Sequence, residues 1–225
     1  MTPLSPGTRA FVALAALMTC TPALLPAQVT MSTGTGSAVT RTDASASFES
    51  QAAVNGNPYV ESGLTFTRTG LSGNQCGFAG CKPPFDYFPG NYMYGSSAGA
   101  ADGYFSIFAP AGQLFSGLEF IAGNGFGDDE TNVVFRAFLN GARVGSGSSN
   151  VPTGAVVGFS GGAGFNELQY TDDVVASFGF HRPAFDEVRV QFVVIPEPGS
   201  LILLATGLLG VYGVARARQR GITHS

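Results

Sequence analysis

The chain has 225 residues, 44% hydrophobic and only 12% charged, with 32 glycines, 19 phenylalanines and no tryptophan. That is too apolar for a disordered tail, and a net charge of -4 argues against a nucleic-acid binder. The charge is also divided: residues 28–195 hold seven basic and fourteen acidic side chains, about -7, while the two ends carry an excess of arginine.

Residues 1–27 have the layout of a secretory signal peptide. Arg9 and the free amine make a positive start, nine apolar residues run from Ala10 to Met18, and a Pro-rich stretch closes at the small residue Ala27. Nine helical residues rise roughly 14 Å, well short of a bilayer core of about 30 Å. The pattern therefore predicts export through the Sec translocon and cleavage by signal peptidase near Ala27–Gln28, not a membrane span. Leu17-Met18-Thr19-Cys20 fits a lipoprotein box only loosely, because Thr19 stands where Gly, Ala or Ser is usual. Cys20 otherwise leaves with the signal.

Residues 28–47 are rich in Ser, Thr, Ala and Gly with no apolar period, and read as a flexible lead-in to a domain spanning 48–195. Cys76 and Cys81 are the only cysteines after residue 27. An even pair in an exported chain predicts a disulfide, whereas zinc wants four ligands and this domain has one histidine, His181. The aromatic stretch Phe85 to Tyr94 follows. Exposed, Tyr87, Tyr92 and Tyr94 would offer ring faces for stacking sugars, beside Asp86 and Asn91 for the hydroxyls. Buried, they would pack beneath a loop pinned by the cysteine pair.

From Phe48 to Ile195 short apolar runs alternate with turn residues, and no stretch sustains a 3.6-residue period. Strands are predicted at Tyr104–Phe108, Leu114–Ile121 (closed by Gly123-Asn124-Gly125), Val133–Leu139, Ala142–Val144, Ala155–Phe159, Glu167–Tyr170, Val174–Phe180 and Glu187–Phe192. Asn140-Gly141 between two runs is a strong hairpin signal, since both residues tolerate positive φ. In the last run Val188, Val190 and Phe192 share one face while Glu187, Arg189 and Gln191 share the other, so one face is buried and one wet. About eight strands in some 150 residues predict an all-β fold, a jelly-roll-like β-sandwich with phenylalanines filling the space between two sheets. The segment Ala184 to Val190 is similar to the final strand of lectin-like jelly rolls.

Two acidic clusters, Asp128-Asp129-Glu130 and Asp172-Asp173, fall between predicted strands. They read as solvated loop charge. The sharper alternative is calcium, which takes six to eight oxygens from carboxylates, loop carbonyls and water, although no EF-hand spacing is present. Gly-x-Ser-x-Gly occurs at Ser97 and at Ser160, but neither serine precedes a helix, as a nucleophile elbow requires. With a single histidine in the domain, no acid, base and nucleophile converge, and no enzymatic role is expected.

At the carboxy end Pro196-Glu197-Pro198 precedes seventeen uncharged residues, 199–215, and then Arg216, Arg218 and Arg220. As a transmembrane helix the apolar run spans roughly 25 Å, enough for a thin bilayer, with the arginines on the cytoplasmic side. The three parts together resemble the PEP-CTERM sorting signal of bacterial secreted proteins, over residues 196–220. In this chain Ala217 and Gln219 interrupt the basic cluster and five residues trail after it. The resemblance implies recognition by an exosortase at the membrane, then release or transfer at the outer surface of a Gram-negative-type bacterium that makes exopolysaccharide and biofilm. The expected function is thus an exported structural or adhesive surface protein. The alternative is an exopolysaccharide-binding module using the aromatic loop, with calcium as the one cofactor to consider.

Overall fold

The computed structural model describes residues 28–49, 57–71, 87–95, 97–98, 103–124, 130–172, 180–181, 183–193, 206–207 and 209. The predicted signal peptide, Cys76, Cys81, Asp128, Asp129, Asp173 and the Pro-Glu-Pro and arginine parts of the tail lie outside them. Within the predicted helix 199–215, Thr206, Gly207 and Leu209 carry helical backbone. Among the described residues no helix is long and apolar enough to cross a membrane.

The rest is β-structure: β1 (Thr30–Thr33), β2 (Ala44–Ala46), β3 (Tyr59–Glu61), β4 (Leu64–Thr69), β5 (Met93–Tyr94), β6 (Ser97–Ala98), β7 (Tyr104–Phe108), β8 (Phe115–Asn124), β9 (Glu130–Leu139), β10 (Ala142–Pro152), β11 (Val156–Phe165), β12 (Glu167–Asp172), β13 (Phe180–His181) and β14 (Pro183–Phe192). One six-stranded antiparallel sheet runs β1-β11-β8-β14-β2, with β5 also on β14. The second runs β10-β9-β12-β7-β4-β3, and β13 pairs with β6 apart from both. In chain order, consecutive strands change from one large sheet to the other from β2 to β3, β4 to β5, β7 to β8, β8 to β9, β10 to β11 and β11 to β12.

Alternation explains the packing. Along β8 Leu118, Phe120 and Ala122 point inward; along β9 Val133, Phe135 and Ala137 do. Their rings meet between the sheets. Phe120 lies 5.0 Å from Tyr170 and Phe135 lies 5.0 Å from Phe159. Phe185 is in ring contact with Phe48, Phe66, Phe105, Phe120 and Tyr170 at 5.0–6.1 Å. Every described strand, and the whole main core cluster, lies within residues 29–192, so this segment encloses its own core.

The Asn140-Gly141 turn carries the expected chemistry, with φ of 51° and 81°; Ser62 and Gly63, a turn the sequence reading did not single out, join β3 to β4 with 52° and 80°. A Cβ at Gly141 would meet nothing within 4 Å, so Gly141→Ala isolates the backbone penalty. We expect it to lower stability by about 1–2 kcal/mol at an unchanged denaturant slope in urea unfolding.

Several expectations need correction. Residues 28–47 are not a free lead-in. β1 pairs with β11 and β2 with β14, and Val29, Val39 and Ala46 are buried. The intervening segment lies flat on the outer face of the first sheet because glycines leave room: a Cβ on Gly117 would stand 2.0 Å from the Ala38 carbonyl oxygen, and one on Gly158 would stand 2.7 Å from Ala38 Cβ. Glu119, in the middle of β8, accepts hydrogen bonds from the N–H groups of Ala38 (2.7 Å), Val39 (3.0 Å) and Gly36 (3.1 Å). Gln191 Oε1 accepts from the backbone of Thr40 and Arg41, and Asp43 Oδ2 accepts from Phe192 N.

β8 does not turn at Gly123 but continues to Asn124. Gly123 is a close-approach glycine there, since a Cβ would sit 3.0 Å from the Phe88 ring and 3.1 Å from Tyr87. β10 is much longer than Ala142–Val144, and Gly145 to Pro152 stay in unbroken register with Thr131–Ala137 and Glu130 of β9. β11 likewise runs through Gly161, Gly162 and Gly164 to Phe165. Of the predicted strand Val174–Phe180, only Phe180 is described.

Candidate functional site

Pairing gathers the sequence-nominated groups at one pole of the sandwich. β8 meets β14 through Asn124 opposite Pro183, β14 meets β5 through Ala184 opposite Tyr94, and β9 meets β12 through Val133 opposite Asp172. Asn124 joins the two sheets by donating from Nδ2 to the Glu130 carbonyl at 2.9 Å. Tyr87, Tyr94, Glu130 and Asp172 thus reach the same pole.

The aromatic loop is largely packed. Tyr92, a stacking face only if exposed, takes the buried alternative: it is 5% exposed and stacks on Phe88 at 4.5 Å and 23°. The reason is the neighbouring surface: Ile121 and Ala184, on the outer face of the first sheet, give these rings an apolar floor. Tyr87 and Tyr94 are half-buried against the same cluster. The Tyr87 hydroxyl donates to the Asn124 carbonyl at 2.8 Å, which ties the loop to the end of β8.

Asp172 is not a solvated loop charge. It is 1% exposed at the end of β12, and its Oδ1 accepts from Asn132 N at 3.2 Å. Burial, and then the Asp172 charge, push the Tyr170 phenol well above its ordinary value. Tyr170 stays neutral and lies 3.3 Å from the carbonyls of both Gly123 and Ala184, bridging the sheets beneath the pole. Glu130, by contrast, is exposed. Among the described residues no group of three or more His, Cys, Asp or Glu side chains stands close enough to hold a metal.

Two buried carboxyls escaped the sequence reading. Asp186 is 1% exposed; its Oδ1 accepts from Glu187 N at 2.7 Å, and its Oδ2 has no hydrogen-bond partner among the described residues. Burial pushes its pKa up to about 7, opposed by the Glu187 and Gly90 N–H groups and reinforced by the charges of Glu187 and Glu49. Glu49 itself holds the loop by accepting from Asn91 N at 2.7 Å. The second is Glu119, fully buried and 2.6 Å from the Arg189 guanidinium. Burial pushes its carboxyl up, but the three backbone donors and then Arg189 outweigh that and hold it below the ordinary range. The visible signal for Glu119 was a lone acid between Leu118 and Phe120; Asp186, followed directly by Glu187, carried no such signal.

The serine candidates separate. Ser97 in β6 is the register partner of His181 in β13, two residues 84 positions apart in sequence. Ser160 lies on β11 and lines a shallow groove of roughly 650 Å³ with Gln28, Arg41, Ser116, Gln191 and Val193. Both ends of the strand-bearing segment, Gln28 and Val193, border this groove. It sits beside Ser116 and Phe192, at the end of the sheet away from Asn124 and Pro183. The chain therefore leaves the domain at the pole opposite the aromatic and acidic groups.

Residues 194–219 match the family model described as the PEP-CTERM protein-sorting motif. The match starts two residues after β14 ends and includes Pro196, Glu197, Pro198, Arg216 and Arg218, stopping just short of Arg220. The motif implies an exported protein targeted by an exosortase, with a sorting region at its carboxy end. Neither the curated proteins nor the solved structures contain a significant match to the chain.

Proposed function

We propose that this chain is a non-enzymatic structural or adhesive component of the bacterial cell surface or extracellular matrix, exported through the Sec translocon and processed by exosortase. The observation that carries this reading is the junction. A sandwich with its own core ends at Phe192, and the sorting motif begins at residue 194, so the domain is the cargo of the tail. The alternation of strands between the two sheets supports a jelly-roll arrangement of that cargo. The test is to fractionate cells carrying the native chain, or the chain with Pro196→Ala, Glu197→Ala and Pro198→Ala together, and sequence the recovered C-terminal peptides. Native protein should appear in the surface or matrix fraction with its tail removed, and the triple variant should stay with the membrane. Native surface protein still ending at Ser225 would overturn processing.

The grouping at one pole favours a second reading, a calcium-assisted exopolysaccharide-binding module. The half-buried Tyr87 and Tyr94, rather than Tyr92, would then present the sugar-facing surface, and the loops bearing Asp128, Asp129 and Asp173 would complete a cation site with Glu130 and Asp172. Because the tail leaves from the opposite pole, that surface would face outward from the membrane. Saturable binding of residues 28–193 to the organism's own exopolysaccharide, lost with chelator and weakened by Tyr94→Ala, would select this reading. Chelator-independent absence of binding would leave the structural one.

A further inference from the structure

An antiparallel sheet normally protects its outer edges with short strands, charges, prolines or bulges, because a bare edge pairs with any strand that fits it. Four edge strands of the two large sheets are short: β1 has 4 residues, β2 and β3 have 3 each and β5 has 2. The fifth, β10, has 11. Its one register shift lies between Arg143 and Gly145, at the end where Val29 N donates to the Val144 carbonyl and covers the corner. Beyond that corner Gly145-Ser146-Gly147-Ser148-Ser149-Asn150 carries no charge and no proline. Ser146, Gly147, Ser148 and Asn150 are exposed. Among the described residues, none forms a backbone bond to this stretch from outside the sheet.

We infer that β10 is a self-association edge, pairing antiparallel with β10 of a second copy of this chain. In a two-fold pair, directly opposed residues must lie on one face of the joined sheet, so the axis passes through a residue. Placed at Ser148, it sets Ser148 opposite its own copy and Ser146 opposite Asn150, all small and uncharged, so identical strands meet without repulsion. It also leaves Pro152, which has no N–H to donate, at the outer end of the ladder. The charges flanking the stretch are complementary: Arg143 of each copy comes to the end where the other holds Glu130 beside Pro152, and both are exposed. A partner of another kind would gain only the backbone bonds; a second copy gains these matched ends as well. The result joins two six-stranded sheets into one. The inference rests on strand geometry, so its failure would leave the surface-component reading standing.

The test is sedimentation velocity on residues 28–193, the segment that encloses the core, at increasing concentration up to about 1 mM. The native segment should show a reversible monomer–dimer equilibrium. Ser148→Lys and Ser148→Glu each place like charges face to face on the axis, so each variant alone should be monomeric with a native-like urea midpoint. An equimolar mixture of the two should dimerise again, at least as well as the native segment. A native segment that stays monomeric throughout, a Ser148→Lys variant that associates as the native does, or a mixture that stays monomeric would each overturn the inference.

Discussion

Replacing Glu119 by alanine is expected to lower stability by about 3–5 kcal/mol at neutral pH, the range found when one partner of a buried ion pair is removed. The carboxylate is fully buried and accepts three backbone N–H bonds and the Arg189 contact. Alanine leaves those donors to water or to nothing, and a buried donor left unmade costs far more than an average hydrogen bond contributes. The effect should also be local. The amides of Gly36, Ala38 and Val39 should lose protection in hydrogen exchange before the core does, because Glu119 holds residues 36–39 onto the sheet. Glu119→Gln keeps one acceptor oxygen and should fall between the two. A loss under about 1 kcal/mol for the alanine variant in urea unfolding would show that the segment is held by other contacts.

Asp186→Asn is expected to act in the opposite direction and to depend on pH. The folded chain raises this carboxyl from 3.8 to about 7. Its contribution is therefore fully present below pH 3.8, where both states are protonated. It declines as pH rises, because the unfolded chain ionises first, and it is lost once pH passes about 7. At about 1.4 kcal/mol per unit, the rise from 3.8 to about 7 sets an upper figure of about 4.5 kcal/mol for the decline. The asparagine variant removes the ionisation while keeping an oxygen for the Glu187 N–H. At pH 8 it should exceed the native protein by a large part of that amount, and at pH 4 the two should nearly coincide. Glu119 supplies the other limb. Its folded carboxyl lies below the ordinary range, so its contribution is present above about 4.5 and lost as pH falls through the folded value. Melting temperature should accordingly peak in the mildly acidic range. A profile flat from pH 4 to 8 would remove Asp186 from this account.

Glu119 and Asp186 also mark where reading the sequence stops. Both occupy outer-face positions in the first sheet, which alternation assigns to water. They are buried because other segments lie over that face: residues 36–39 cover one, and the loop around Gly90, with Glu49 nearby, packs over the other. Tyr92 is buried for the same reason, by Ile121 and Ala184 from distant strands. β10 was under-read because Gly and Ser leave no apolar alternation; its strand character comes from the ten residues of β9 opposite. β7, by contrast, has the bounds its own residues predict, and the Asn140-Gly141 turn has the positive φ values its chemistry requires. The sorting tail was equally legible, since its signal is an order of residue types along the chain.

By itself the sequence determined the features that depend on neighbours in the chain: an all-β domain, its hairpin turn, the apolar inner face of the last strand, and the sorting tail. Only the tertiary structure decided which polar groups lose water, which aromatic rings are covered, that Val193 lies opposite the pole of Tyr94, Glu130 and Asp172, and that among the described residues no further strand pairs with the outer edge of β10. The physical reason is that turn geometry and strand period are set over a few residues. Burial and edge exposure are set by segments far apart in sequence that meet only when the sheets close.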